Sequence, residues 1–242
     1  MLSNMPRIFW AGDSTVKQND FTSYPQCGIG QGFALYVKKE ILIVNRAENG
    51  RSTKSFINEG RLDFIEENIK TGDYLFIQFG HNDEKPDEER YTEPQTSFKE
   101  NLRKYINVAR NVGAYPLLIT PLYRRIFVEG GKLIENTHLD YPQAMIELGE
   151  ECDVPVIDLC TLSKRLIEKT GDEESKKWFM YFNEGEYPLY PEGKKDNTHL
   201  RFEGAVKFAE IIASCIAKLP KEYSDMLVSV EDVKEDPALL VD

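Results

Sequence analysis

The sequence predicts a three-layer α/β/α domain built around a five-stranded, mostly parallel sheet. Five short apolar runs rich in β-branched or aromatic residues carry that expectation: Arg7–Ala11, Ile41–Arg46, Tyr74–Phe79, Tyr115–Thr120 and Val154–Leu159. Their hydrophobicity is continuous rather than alternating, which suits strands covered on both faces. The segments between them are long enough for helices, and 41% hydrophobic residues over 242 positions supply a full core.

Taken in order, the first run leads into Gly12-Asp13-Ser14-Thr15 and the second into Asn49-Gly50-Arg51-Ser52. Between the third and fourth runs, Gln95–Val112 sets Phe98, Leu102, Tyr105, Ile106 and Ala109 at helical spacing, and Gly113 follows as a C-cap. That unit is β-α-β. Tyr141–Glu151 and Thr161–Thr170 read as further helices, and Glu203–Leu219 carries Val206, Phe208, Ala209, Ile212 and Ile216 before Pro220 ends it. Two polar stretches, Asp83–Glu93 and Asp172–Lys195, are expected as loops over one face of the sheet. One domain over residues 1–220 is expected, followed by an acidic extension over 221–242 that packs on it or trails from it.

Composition narrows the function classes. With 41 Asp and Glu against 30 Lys and Arg the formal charge is −11, a poor match for a nucleic-acid binder. Aliphatic runs such as Ile41–Val44 and Leu117–Ile119 fall far short of the roughly 18 residues of a membrane span, so no membrane partner is expected. The first residues show no basic region followed by an apolar one and a cleavage site, which gives a cytoplasmic location as the expectation. Cys27, Cys152, Cys160 and Cys215 have neither paired-ligand spacing nor disulfide density and read as reduced, mostly buried thiols.

In a doubly wound sheet the ligand lies beyond the carboxyl ends of the strands, so the residues just after each run come first. Nucleophile, base, orienting acid and donors all stand there. A serine hydroxyl needs a base to take its proton and a third group to hold that base's tautomer; Ser14, His199 and Asp196 fit those roles. Two residues between Asp196 and His199 let a turn fold the carboxylate back to the imidazole Nδ1–H, leaving Nε2 aimed at Ser14. The oxyanion of acyl transfer needs preorganised donors. The N–H of Ser14, the N–H of Gly50, close-approaching for want of a Cβ, and the Asn82 amide supply them. Each cluster also has a bland reading: Gly-Asp-Ser and Asn-Gly are common turns, and Asp196 or Thr198 could cap the last helix. Four such clusters at four ligand-face positions make the stronger case.

These residues resemble the SGNH or GDSL hydrolase superfamily, whose four letters stand for the Ser, Gly, Asn and His found here as Ser14, Gly50, Asn82 and His199. The match spans roughly residues 7–219, with Thr15 in place of the usual leucine. Within it, Phe9-Trp10-Ala11-Gly12-Asp13-Ser14-Thr15-Val16, Gln78-Phe79-Gly80-His81-Asn82-Asp83-Glu84-Lys85-Pro86 and Asp196-Asn197-Thr198-His199-Leu200 resemble the rhamnogalacturonan acetylesterase branch. The resemblance implies a flavodoxin-like fold, no cofactor and no metal. It also implies a serine esterase acting on acetylated pectic oligosaccharides, with imported fragments inside the cell as the expected partner. A histidine base predicts activity that rises with pH through about 6–7. The sequence leaves the oligomeric state open.

Other residues have less settled roles. Arg124 and Arg125 follow the fourth run and could fork onto a sugar carboxylate or form an exposed loop pair, and His138 could contact substrate, support residues that do, or sit at the surface or a helix cap. His81 is expected to make a structural hydrogen bond. Tyr91, Trp178, Tyr187 and Tyr190 could stack on sugar faces or simply pack. Arg51, Lys54, Arg124, Arg125, Lys194 and Lys195 are expected to cluster near Ser14. The extension from Lys221 carries 2 basic and 7 acidic side chains, leaving −6 on the preceding 220 residues and room for a local cationic pocket. Rival readings are an esterase for another acetylated sugar or small ester, a metal-dependent phosphoesterase using Asp13, His81, Asp83, Asp196 and His199, and a carbohydrate-binding protein without turnover. The Gly-His-Asn-Asp order argues against the metal enzyme.

Overall fold

The computed structural model describes residues 5–228. Strands β1 (Arg7–Gly12), β2 (Leu42–Asn45), β3 (Tyr74–Gln78) and β4 (Tyr115–Ile119) alternate with helices, followed by a small hairpin of β5 (Phe127–Val128) and β6 (Lys132–Leu133). Then come β7 (Val156–Ile157), β8 (Phe179–Phe182) and β9 (Lys194–Leu200). The helices are α1 (Ile29–Gly32), α2 (Thr53–Asn58), α3 (Arg61–Asn68), α4 (Lys99–Arg110), α5 (Tyr141–Cys152), α6 (Leu159–Thr170), α7 (Asp172–Ser175), α8 (Phe202–Ile216) and α9 (Lys221–Ser224).

The main sheet has the order β2-β1-β3-β4-β7 and is parallel throughout. Register pairs Trp10 with Asn45 on one side and Phe76 on the other. Because side chains alternate across the sheet, β1 sends Ile8 and Trp10 into one core and Phe9 and Ala11 into the other. Phe33, Phe208, Ile212 and Ile167 close the first core, while Phe56, Leu102, Tyr105 and Leu148 close the second. The predicted three-layer α/β/α architecture with five strands is the observed one.

Several boundaries differ for local reasons. The helix expected over 95–112 opens with a π-turn at Pro94–Phe98 and becomes regular only from Lys99. The last strand shrinks to Val156–Ile157, because Val154 N–H serves the end of α5 by donating to Gly149 and the Asp158 carboxylate caps α6 through Thr161 N–H. The larger correction concerns 172–195, which is not a loop. It contains α7 and β8, and β8 pairs antiparallel with β9, Phe179 opposite Leu200 and Phe182 opposite Lys194. The Asp-x-x-His segment therefore lies within β9 rather than in an open loop, at the register shift opposite Phe179–Tyr181, where the Asp196 carboxylate still folds back onto the Thr198 and His199 N–H groups.

Residues 221–228 are packed rather than trailing: Tyr223 is buried, donates its hydroxyl to Pro116 O at 2.9 Å, and Val37 bridges Leu227. The rest of the predicted extension, 229–242, lies outside the described residues. Cys27 and Cys160 are buried, which pushes each thiol up to about 12, and Cys152 and Cys215 are half-buried. Among the described residues no helix is long and apolar enough to cross a membrane.

Candidate active site

The strand order reverses between β1 and β3, and in such sheets the crevice outside the carboxyl ends at that point receives the ligand. Ser14 follows β1 and Asn82 follows β3, so each flanks the reversal. Asp13 shapes the first turn: its Oδ1 accepts the Thr15 N–H at 2.9 Å and the Thr15 hydroxyl at 2.8 Å, and its carbonyl accepts from Lys17 N–H at 3.1 Å. Gly12 lets this turn sit low, since a Cβ there would come within 2.4 Å of Val16 Cγ2 and 2.8 Å of Gln78 O. Ser14 emerges 8% exposed.

On the facing hairpin, Asp196 turns both oxygens inward. Oδ2 lies 2.7 Å from His199 Nδ1, while Oδ1 accepts the Thr198 and His199 N–H groups at 2.9 and 3.0 Å. His199 Nε2 is 2.9 Å from Ser14 Oγ. Burial pushes the Asp196 carboxyl up, but the His199 ring and these two N–H groups outweigh it and hold the group well below the ordinary carboxylate range. Asp196 therefore stays ionised and fixes Nδ1 as the protonated ring nitrogen, which leaves Nε2 as the acceptor for the serine proton. Neither Asp196 nor Thr198 caps α8, whose N-cap is Arg201.

The three expected oxyanion donors line the same cleft, of about 590 Å³, with Ser14, Asp196 and His199. Among the described residues the N–H groups of Ser14 and Gly50 have no acceptor. One Asn82 amide hydrogen donates to Arg51 O at 3.2 Å, which orients the side chain and leaves the other hydrogen free. A Cβ at Gly50 would meet nothing within 4 Å, so close approach is not what selects glycine there; its φ of +75° is. The Gly50 loop is anchored by Ser52, which caps α2 by accepting Ser55 N–H at 3.1 Å.

The remaining predicted contacts fall into place less uniformly. Arg124 lines the cleft, but its guanidinium is 2.5 Å from Glu84 and donates to Thr137 O at 2.6 Å and His81 O at 3.2 Å. Arg125 does not reach the cleft. It is 2% exposed, ion-paired with Asp172, donating to Ser175 Oγ at 2.9 Å, and lies over the Tyr181 ring at 5.0 Å, so it braces α7 against the β8–β9 hairpin. His138, 1% exposed, bonds Leu122 O at 2.8 Å and packs its ring edge-on to His81 at 4.4 Å, so it stands behind the cleft wall instead of touching a ligand. The structural hydrogen bond expected of the His81 ring is absent among the described residues; burial drives that imidazole far below its ordinary pKa and keeps it neutral.

The basic cluster expected near Ser14 does not form. Arg51 pairs with Glu59 at 2.8 Å, Lys54 donates to Glu88 O, Lys194 lies 3.6 Å from Asp196, and Lys195 does not line the cleft. Trp178 is buried against Phe208 and Tyr91 bonds Glu93, while Tyr187 and Tyr190 pack on Phe182 and none of the four lines the cleft. Sequence reasoning passed over Gln26 and Lys85, both in the cleft wall. Among the described residues no three His, Cys, Asp or Glu side chains converge to hold a metal ion, so Asp13, His81, Asp83, Asp196 and His199 form no such centre.

Comparison with known proteins agrees with this geometry. The family model for GDSL-like lipase/acylhydrolase matches residues 8–212. The chain is 45% identical over 231 residues to rhamnogalacturonan acetylesterase RhgT of Bacillus subtilis, covering 96% of this chain and 98% of that one. It is 39% identical over 222 residues to the probable rhamnogalacturonan acetylesterase YesY of the same organism, covering 91% and 97%. The crystal structure of protein YXIM of Bacillus subtilis superposes with a TM-score of 0.75 at 29% identity, over 88% of this chain and 56% of that longer one. The chain belongs to the GDSL-like lipase/acylhydrolase family.

Proposed function

We propose that this protein is a serine esterase that removes acetyl groups from carbohydrate, with acetylated rhamnogalacturonan oligosaccharides as the substrate class. The observation that carries the reading is the continuous contact from Asp196 through His199 to Ser14, at 2.7 and 2.9 Å, on the floor of a cleft that holds Gly50 and Asn82. In the forward step Ser14 Oγ attacks the acetyl carbonyl as Nε2 of His199 takes its proton. The oxygen charge that develops faces the N–H groups of Ser14 and Gly50 and the free Asn82 amide hydrogen. The imidazolium then protonates the departing sugar oxygen, leaving acetyl-serine. Water attacks that ester with His199 again accepting the proton, acetate leaves, and the proton returns to Ser14.

The cleft's chemistry favours a sugar ester over a lipid. Apart from Gly50, every lining side chain is polar, among them Gln26, Asn49, His81 and Thr198. Drug-like and lipid pockets are lined mainly by hydrocarbon. A long acyl chain would find no apolar side chain to pack against, whereas an acetyl group needs little and sugar hydroxyls need partners. Two relatives that match over more than nine-tenths of the chain, one named as a rhamnogalacturonan acetylesterase and the other as a probable one, support the pectic substrate.

The test is acetate release from a panel of acetylated rhamnogalacturonan and xylan oligosaccharides by the native enzyme and by Ser14→Ala. Release from the pectic members is expected, with the variant slower by about 10³-fold or more. Release from xylan fragments alone would overturn the substrate, and an equally fast Ser14→Ala would overturn the nucleophile.

A further inference from the structure

We infer that Lys85 is the residue by which the cleft recognises a carboxylate on its substrate, selecting acetylated oligosaccharides that carry a uronate over neutral ones. The inference rests on the carbohydrate-esterase reading and sharpens it to a charge class.

The charge inventory of the cleft carries the argument. Three lining residues carry a formal charge: Asp196, Arg124 and Lys85. The Asp196 carboxylate faces the His199 ring and two N–H groups, and Arg124 is matched by Glu84 at 2.5 Å. Among the described residues Lys85 has no carboxylate within 4.0 Å and its ammonium makes no hydrogen bond. A protein with a formal charge of −11 thus presents, in the cleft that holds Ser14, a cation with no partner among the described residues. Other lysines around the cleft are spent: Lys54 on the Glu88 carbonyl, and Lys194 beside the Asp196 carboxylate at 3.6 Å.

Backbone geometry gives that cation a fixed origin. Lys85 N–H donates to Asn82 O at 3.1 Å, closing a tight turn whose first residue supplies the proposed oxyanion amide. The base of the Lys85 side chain and one of the acetyl-binding donors, the Asn82 amide, therefore belong to one turn. The same turn's Glu84 is held away from Lys85 by Arg124 and by His138, 3.7 Å distant, so the local carboxylate does not quench it. A substrate carboxylate entering the cleft would replace water around Lys85 with a charge-assisted hydrogen bond. A neutral sugar would leave the ammonium with water alone.

The experiment compares acetylated rhamnogalacturonan oligosaccharides with the same oligosaccharides after carboxyl reduction, using the native enzyme, Lys85→Gln and Lys85→Arg. In the native enzyme kcat/KM is expected to be higher for the charged set. In Lys85→Gln that preference should fall about five- to tenfold, mainly through KM, and Lys85→Arg should restore most of it. Raising the salt concentration should erode the native preference and leave that of Lys85→Gln flat. An unchanged preference in Lys85→Gln overturns the assignment while leaving the esterase reading intact. Equal losses on charged and reduced substrates would move Lys85 to the support of Asn82 and also overturn it. If the native enzyme hydrolyses 4-nitrophenyl acetate but neither oligosaccharide set, the carbohydrate reading itself fails and takes this inference with it.

Discussion

Asp196 shows how much one carboxylate can fix. One oxygen orients the His199 ring and the other gathers the Thr198 and His199 N–H groups, so side chain and backbone of the base are set together. Asp196→Asn keeps the shape but offers an amide that can present N–H toward Nδ1, favouring the wrong tautomer. kcat is expected to fall about 10³- to 10⁴-fold with Tm nearly unchanged, read by acetate release and a thermal melt; a fall of less than tenfold would remove Asp196 from the mechanism. Ser14, His199 and Asp196 were legible in the sequence because each stands next to a strand or helix signal and their residue types limit what they can do together. Arg125 was not: an arginine after a strand reads the same whether it faces a ligand or, as here, disappears beneath Tyr181 with Asp172 as partner. Lys85 failed in the opposite direction, since a lysine amid acidic residues looks solvated until its neighbours' partners are known.

The hairpin of β8 and β9 has a catalytic consequence, because it holds Asp196 and His199 against a serine that belongs to the parallel sheet. Its attachment runs through Trp178, whose carbonyl accepts Arg201 N–H at 3.0 Å, and through Gly204 at the start of α8. A Cβ on Gly204 would stand 2.1 Å from that same carbonyl oxygen, a backbone atom that cannot swing aside. Gly204→Ala must push α8 and the segment before β8 apart. Overpacking of this kind costs about 1–3 kcal/mol, so Tm should fall by roughly 3–10 °C, and kcat should drop as His199 shifts from Ser14. A Tm equal to the native value would show that the contact relaxes without cost. The first four strands of the main sheet and α8 were legible because their apolar patterns persist over full lengths. The hairpin was hidden because Phe179–Phe182 is only four residues long inside a polar stretch, and α2 and α3 because Thr53–Asn58 and Arg61–Asn68 are short and carry few buried side chains.

For the molecule entire, sheet order decides where chemistry can occur, and net charge says little about it. Five apolar runs joined by helix-length segments put the ligand beyond the carboxyl ends of the strands, so that face was legible before its walls were, whereas the reversal between β1 and β3 emerged only with the strand order. What the walls bury was not. Asp13 and Asp83, the acids of the two turns that flank the reversal, are both fully buried, and each leaves one carboxylate oxygen without a partner among the described residues. Burial pushes Asp83 up to about 7, against hydrogen bonds from Thr53 and Thr92, and the nearby Asp13 carboxyl adds to the rise. A carboxyl raised in the folded state binds its proton more tightly there than in the unfolded chain. Its favourable contribution is complete below the ordinary carboxylate range and is lost as pH rises through about 7. Asp83→Asn keeps an oxygen for the Thr53 N–H at 3.0 Å while removing the charge. The Tm of the variant, compared with that of the native protein, should therefore climb steadily between pH 5 and pH 8, with the two closest at the acid end. Melts of both proteins across that interval measure the difference directly, and a constant offset would mean that Asp83 keeps one protonation state throughout.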